Sequence, residues 1–268
     1  MLQCRHCLAN LKPKQERTNW SLLIKYTQNH GKRQMEFNLN RLIEAISKER
    51  LSVYGYQSVD GASGQTIGAL AKYLWNVALS EAFYPSIQLC EITLRNQLHT
   101  QIAYHLGEPQ WLIDSAILKA SREGEEVGAV WSSLMKRQRE TSYYQIIPEL
   151  SFGFWTGLLH KRYEGVLWPW LLKPCFPCLA KRNRTQAYIF RRLNEIRQLR
   201  NRIFHHEKIA HLTHLPQIHQ EILDVIGWMQ PAMVPYAQLV DRFLQVYSQG
   251  AGYYERQLER TAHNTESR

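Results

Sequence analysis

The run Leu199-Arg200-Asn201-Arg202-Ile203-Phe204-His205-His206-Glu207 brings an arginine, an amide and two adjacent histidines together. A guanidinium keeps its charge at physiological pH and can hold a phosphate, while an imidazole titrating near neutrality can move a proton. Beside a phosphodiester this set suits the cutting of RNA. One proton leaves the 2′-hydroxyl, another reaches the departing 5′-oxygen, and no metal is required. On an ideal helix Asn201 and His205 share a face, and Arg200, about 100° away from Asn201, reaches across with its long side chain. A helix C-terminus carries partial negative charge that attracts cations. A symmetric dimer with two copies face to face would supply a second histidine to one site. The plainer alternative is that Arg200 and the histidines cap the last carbonyls of a helix. A cap needs one basic residue, whereas here Arg-Asn is followed by His-His at the end of the most basic helix in the chain.

The elements that position these residues are helical. Ile189, Leu193, Ile196, Leu199 and Ile203 form a stripe at three- and four-residue spacing, which buries one side of a long helix and leaves its arginines on the other. Periodicity near 3.6 recurs wherever a pattern is visible, and sustained alternation rich in Val, Ile and Thr is hard to find, so the chain reads as all-α. Asn38 or Asn40 is a candidate cap for a helix running through Leu42, Ile43 and Ile46 toward Val53. Gly61-Ala-Ser-Gly64 breaks the chain, and the next helical stretch begins near Thr66. Pro85 is expected to divide that stretch into two helices, the second ending at Gly107-Glu-Pro109. Residues 116–139 read as a polar helical segment interrupted at Gly124 and Gly128, and Pro148 separates it from the aromatic run 152–159. The segment 167–179, with Pro169, Pro174 and Pro177, is expected to be a loop. Two helices near 215–229 and 232–247 follow, joined at Pro231. The expected organisation is an N-terminal appendage over 1–35, one main helical domain over 36–250 and a polar C-terminal tail over 251–268.

The 268 residues are enough for a sizeable core, and 44% apolar with 21% charged residues is ordinary for a folded soluble protein. Lys plus Arg exceeds Asp plus Glu by 33 − 23 = 10. Much of the excess lies near the motif: Lys173, Lys181, Arg182, Arg184, Arg191, Arg192, Arg197, Arg200 and Arg202 share the segment 172–202 with the single acid Glu195. A concentrated positive field attracts polyanions, and phosphate contacts of this kind weaken with salt. Arg184, Arg191, Arg192, Arg197 and Arg202 are therefore candidate RNA-binding residues, although a solvated basic helix face would look the same in sequence.

An echo of the motif occurs upstream in Glu91-Ile-Thr-Leu-Arg95-Asn96-Gln-Leu-His99. Glu91 and Arg95 stand four apart, and the block is either structural support or a source of auxiliary residues, Glu91, Arg95 and Asn96, oriented toward the Arg200 helix. Cys4-Cys7 and Cys175-Cys178 have the spacing of tetrahedral zinc ligands, but the 167-residue gap between the pairs makes a weak zinc candidate. Cys90 stands alone among helical apolar residues and reads as core. The five cysteines do not form a disulfide framework. No continuous apolar run approaches the roughly 18 residues of a membrane span, and the start Met1-Leu-Gln-Cys-Arg-His-Cys7 lacks the features of a secretory signal. A cytoplasmic protein with no membrane partner is expected. Gly-rich phosphate loops, His-Glu-x-x-His and Gly-x-Ser-x-Gly are missing, which sets aside nucleotide hydrolases, zincins and α/β-hydrolases.

The chain resembles the Abi-like, abortive-infection family of bacterial proteins within the all-helical HEPN superfamily. The resemblance rests on Lys48-Glu49-Arg50-Leu51 with Tyr54, Tyr73-Leu-Trp-Asn76 with Leu79-Ser80, Glu91-x-x-Leu94-Arg95-Asn96, Glu149-Leu-Ser-Phe-Gly-Phe-Trp155 and Leu193-Asn-Glu-Ile-Arg-x-Leu-Arg-Asn-Arg-x-x-His-His-Glu207, spanning about residues 40 to 230. It implies a HEPN-like helical bundle with additional peripheral helices, in which Arg200 and His205 form the Arg-x4-His signature of ribonucleases and Asn201 is the polar residue after the arginine. It also implies a homodimer with apposed motifs, metal-independent RNA cleavage without a cofactor, and a role in restricting phage infection. Some HEPN proteins serve instead as toxin partners or scaffolds. The expected function is thus an endoribonuclease using Arg200, Asn201, His205 and His206, with an RNA or protein antitoxin as a possible restraint. The alternatives are a non-catalytic RNA-binding module and a helical toxin–antitoxin interaction protein.

Overall fold

A computed structural model describes residues 39–57, 63–114, 116–137 and 142–266, and among these every regular element is helical. In chain order the α-helices are α1 (Leu39–Ile46), α2 (Lys48–Ser52), α3 (Ser63–Leu106), α4 (Trp111–Asp114), α5 (Arg122–Lys136), α6 (Ile146–Glu149), α7 (Phe152–Gly157), α8 (Trp168–Cys175), α9 (Gln186–Phe204), α10 (Leu215–Met229), α11 (Met233–Val240) and α12 (Phe243–Glu266). The all-α expectation is met. The N-terminal appendage, Asn38 and Gly61 lie outside the described residues.

The long helix α3 is the central column. Leu79, Phe83, Ile87, Cys90, Leu94, Leu98 and Ile102 recur every three or four residues along it and are buried, giving one continuous apolar face that α8, α9 and α10 cover. The predicted stripe of α9 is buried in full, and α10 contributes Leu215, Ile218, Ile222, Val225, Ile226 and Met229 to the same core. A second, smaller cluster of Ile43, Leu51, Leu70, Ala71 and Leu258 ties α1, α2 and the start of α3 to the far end of α12.

Three expectations about helix boundaries are corrected. Pro85 does not divide α3. It removes the hydrogen bond that residue 85 would give to the Glu81 carbonyl, at a typical cost of about 3 kcal/mol, but Phe83 and Ile87 on either side are buried in one core. The hydroxyl of Ser86 donates to the Phe83 carbonyl at 3.0 Å in the turn around Pro85. Gly124 and Gly128 do not interrupt α5, which is capped by Ser121 and runs through both. The segment expected to be a loop contains α8. Pro169 sits in its first turn, where the missing N–H has no helical partner to lose, and burial of Trp168, Leu171 and Cys175 offsets the loss at Pro174.

The C-terminal segment also differs from expectation. The second of the two late helices is split at Asp241, whose carboxylate accepts from the Phe243 amide at 2.9 Å and starts α12. Beyond Gly250, whose φ of 62° marks a kink, residues 251–266 are helical rather than a tail, and Leu258 is buried. Among the described residues no helix is long and apolar enough to cross a membrane.

Candidate active site

The motif occupies the last turn of α9 and the chain that leaves it. Thr185 starts the helix by accepting from the Tyr188 amide. At the other end His205 is the C-cap, the His206 amide bonds the Ile203 carbonyl at 3.0 Å and the Glu207 amide bonds the Arg202 carbonyl at 2.8 Å. This pair of bonds is a Schellman ending, which places residue 206 in the left-handed region. His206 has φ 57° there, where glycine is the usual occupant. Both histidines are exposed.

The strand of chain after the helix is clamped from α2 and α3. The Asn76 side chain, 4% exposed, accepts from the amides of Ile209 and Ala210 at 2.7 and 3.0 Å and donates to the Glu207 carbonyl at 3.3 Å. Arg50 donates to the His206 carbonyl and lies 6.0 Å from the Tyr73 ring. Lys208 donates to the Val53 carbonyl at 2.8 Å and lies 5.2 Å from the Tyr54 ring. Tyr54 in turn meets Tyr73 edge to face at 5.5 Å. Arg50, Tyr54 and Asn76, singled out in the sequence only as members of shared blocks, thus meet at one loop, with Tyr73 packed behind Arg50 and Tyr54. Their role was not visible in the sequence, because the contacts of Arg50, Tyr54 and Asn76 with this loop span more than a hundred residues; an asparagine in the interior of an apolar helix was the available hint.

Arg200 is held between α3 and its own helix. Its Nε lies 4.0 Å from a Glu91 carboxylate oxygen, and its guanidinium carbon sits 4.2 Å from the centre of the Phe204 ring, well within cation–π range. Nε is buried and makes no hydrogen bond, so Glu91 acts on it as a nearby charge. Burial raises the Glu91 pKa, and the positive charges of Arg200 and Arg95 oppose that rise. Of the proposed auxiliary residues, the structure brings Glu91 to the motif, whereas Arg95 turns to Asn96, with Nε to Oδ1 at 3.3 Å. Asn201 is partly buried, and its carbonyl accepts from the His205 amide. The histidine of the upstream echo is structural: His99 Nδ1 accepts from Trp111 Nε1 at 3.1 Å, and burial lowers its pKa.

A cavity of about 470 Å³ opens beside the motif, bounded by Tyr84, Pro85, Ile203, Phe204, His206 and Arg242 among others. It is an opening that sequence periodicity gave no sign of.

The arginines along α9 and in the turn before it divide into two groups. Arg184 donates to the carbonyls of Pro177 and Leu179, and Arg192 pairs with Glu221 at 2.5 Å and Glu195 at 3.4 Å, so both hold the fold together. Arg197 bonds Asn194 at 2.7 Å. Arg191, exposed and 5.8 Å from the Tyr188 ring, and Arg202, also exposed, face solvent. The local count of nine cations to one acid therefore overstates the field, since Glu91 and Glu221 arrive from other helices.

Cys175 is buried in the main core, with its Sγ 4.0 Å from the Gln97 carbonyl and its thiol pKa raised by burial, while Cys178 is exposed. Its full burial among apolar side chains places Cys175 as a core residue, and among the described residues no group of three His, Cys, Asp or Glu could hold a metal ion; Cys4 and Cys7 lie outside the described residues. Cys90 is core as expected, its thiol pushed up to about 12 by burial. Comparison of the chain with family models, curated proteins and solved structures finds no match.

Proposed function

We propose that the protein is a metal-independent endoribonuclease of the HEPN type. The observation that supports this best is the helix end itself: two exposed histidines follow a guanidinium, and Asn76 and Arg50 fix the backbone that carries them. A left-handed, non-glycine residue held by such a clamp is the kind of strained position that clusters at functional sites.

In this reading Arg200 and Asn201 bind the scissile phosphate. An imidazole at position 205, assisted by His206, takes the proton of the 2′-hydroxyl, whose oxygen attacks phosphorus. The bond to the 5′-oxygen breaks, and a protonated imidazole, from the same site or a second copy, supplies that oxygen with its proton. Arg200 offsets the charge that builds on the phosphoryl oxygens. Glu91 is a positioning residue, holding the guanidinium against the Phe204 ring. The same reading makes the protein a homodimer in anti-phage defence, restrained by an RNA or protein antitoxin.

The test is cleavage and binding of RNA by wild type and His205→Ala. Removing a general acid–base group is expected to slow cleavage by about 10²–10⁴-fold while RNA retention and the unfolding midpoint stay unchanged, since the side chain is exposed. Cutting at an unchanged rate by His205→Ala would place the site elsewhere. RNA binding without any cutting by wild type would identify a non-catalytic RNA-binding module.

A further inference from the structure

A second cavity, of about 420 Å³, runs between α9 and α10 and falls within the range of small-ligand pockets, ~300–1,000 Å³. Its floor is apolar: Leu199 and Ile218 are buried, and Leu212 packs against the same core. Its walls carry charge of both signs. At one end Arg192 meets Glu221 at 2.5 Å and Glu195 at 3.4 Å, so a single guanidinium serves two carboxylates and one negative charge is left over. The two helices are joined through residues 205–214, which puts Arg202 and His214 at the other end. There a guanidinium from α9 and an imidazole from the start of α10 line one opening with no acid between them. His214 makes no cap bond to the helix it precedes, and among the described residues the Arg202 guanidinium has no ion-pair or hydrogen-bond partner.

The spacing repeats on both walls. Glu195 and Arg202 stand seven residues apart on α9, and His214 and Glu221 stand seven apart on α10. Seven residues are two turns, about 10 Å of rise, so each wall passes from acid to base over the same distance above the apolar floor. A polyanion lying along this groove would run onto the two carboxylates. A ligand with an anion at one end, a cation at the other and an aliphatic stretch between them complements all three parts. The planar fork of Arg202 suits a carboxylate or a phosphate at the basic end.

We propose that the groove between α9 and α10 binds a small extended zwitterion, with its carboxylate or phosphate between Arg202 and His214, its ammonium between Glu195 and Glu221, and its aliphatic chain over Leu199 and Ile218. The site is separate from the one assigned to RNA cleavage. Arg200 is about 200° from Arg202 around the helix, and neither Arg200, His205 nor His206 lines the groove.

The experiment is calorimetric titration of the wild-type protein with ω-aminooctanoate, octanoate and octylamine at low salt. The zwitterion is expected to bind about tenfold tighter than either singly charged analogue, the scale of one added hydrogen bond to a charged group. Along a series of ω-amino acids, affinity is expected to peak where the extended chain matches the two-turn spacing, an arm that needs no variant. Titration of ω-aminohexyl phosphate decides which anion the basic end prefers. In Arg202→Gln the zwitterion is expected to bind no better than octylamine, and in Glu195→Gln no better than octanoate. Arg200→Ala is expected to bind it as wild type does, so the result stands apart from whether the protein cuts RNA. Equal affinity for the three probes, a flat length series, or an advantage that survives both Arg202→Gln and Glu195→Gln would overturn the assignment. Displacement of the zwitterion by an oligoribonucleotide would also overturn it, by showing that the groove accepts a polyanion.

Discussion

At residue 206 the backbone conformation and the side chain serve different ends. The left-handed φ of 57° costs a residue with a Cβ about 1–2 kcal/mol, and glycine would avoid it while adding some freedom to the unfolded chain. His206→Gly is expected to raise unfolding stability by about 0.5–1 kcal/mol and to slow RNA cleavage. Denaturant titration and a cleavage assay on the same preparation check both, and a loss of stability would mean that the imidazole itself holds the loop. Asn76→Ala is expected to act in the opposite sense, destabilising by about 3 kcal/mol because the amides of Ile209 and Ala210 and the Glu207 carbonyl lose their partner. The residues of the motif were legible in the sequence because they are contiguous. Asn76 and Arg50 were not legible as a clamp because their bonds span 131 to 156 positions, and no local pattern carries such information.

At the scale of elements, the hydrophobic stripes match the structure, as do the stop at Gly107 and the junction at Pro231, whereas several other expected breakers lie inside helices. Ile189, Leu193, Ile196, Leu199 and Ile203 are all buried as their spacing requires. Local propensity makes Pro85 a boundary, Gly124 and Gly128 interruptions and the segment with Pro169 and Pro174 a loop, yet all five residues lie inside helices, where tertiary context overrides propensity. The two glycines of α5 make the distinction measurable. A Cβ on Gly124 would stand 2.2 Å from the Leu118 carbonyl oxygen, a backbone atom that cannot step aside, while a Cβ on Gly128 would meet nothing within 4 Å. Gly124→Ala is therefore expected to lower the melting temperature, with a loss above about 1 kcal/mol. Gly128→Ala is expected to raise it by up to about 1 kcal/mol through helix propensity. Equal effects of the two changes would contradict the close approach of α5 to the Leu118 turn. The tail expectation failed for a related reason: residues 251–266 are polar enough to look unstructured, yet Leu258 anchors them in the small cluster with Ile43, Leu51, Leu70 and Ala71.

Over the whole molecule, the pH dependence of stability should be governed by two histidines packed inside it. His219 lies 3.1 Å from Asp241 and stacks on Phe243, and burial outweighs the carboxylate to lower its pKa; burial also lowers that of His99. A base whose folded pKa falls below 6.5 is neutral in the fold and takes up a proton more readily when unfolded. Its contribution is complete above that value and is lost as pH drops through the window beneath it. The melting temperature is expected to fall on acidification below pH 6.5 and to fall less steeply in His219→Gln; a profile unaffected by that change would place the proton uptake elsewhere. The all-α architecture was legible from periodicity alone, whereas the placement of Glu91 and Glu221 against the basic helix was not, and these acids decide which arginines are left without an ion pair. The central claim, that position 200 and the histidines after it act on one phosphodiester, is tested most directly by the ends of the RNA fragments released in EDTA. A 2′,3′-cyclic phosphate and a 5′-hydroxyl, both abolished by Arg200→Ala, are predicted. Fragments carrying a 5′-phosphate, or cutting that survives Arg200→Ala, would contradict it.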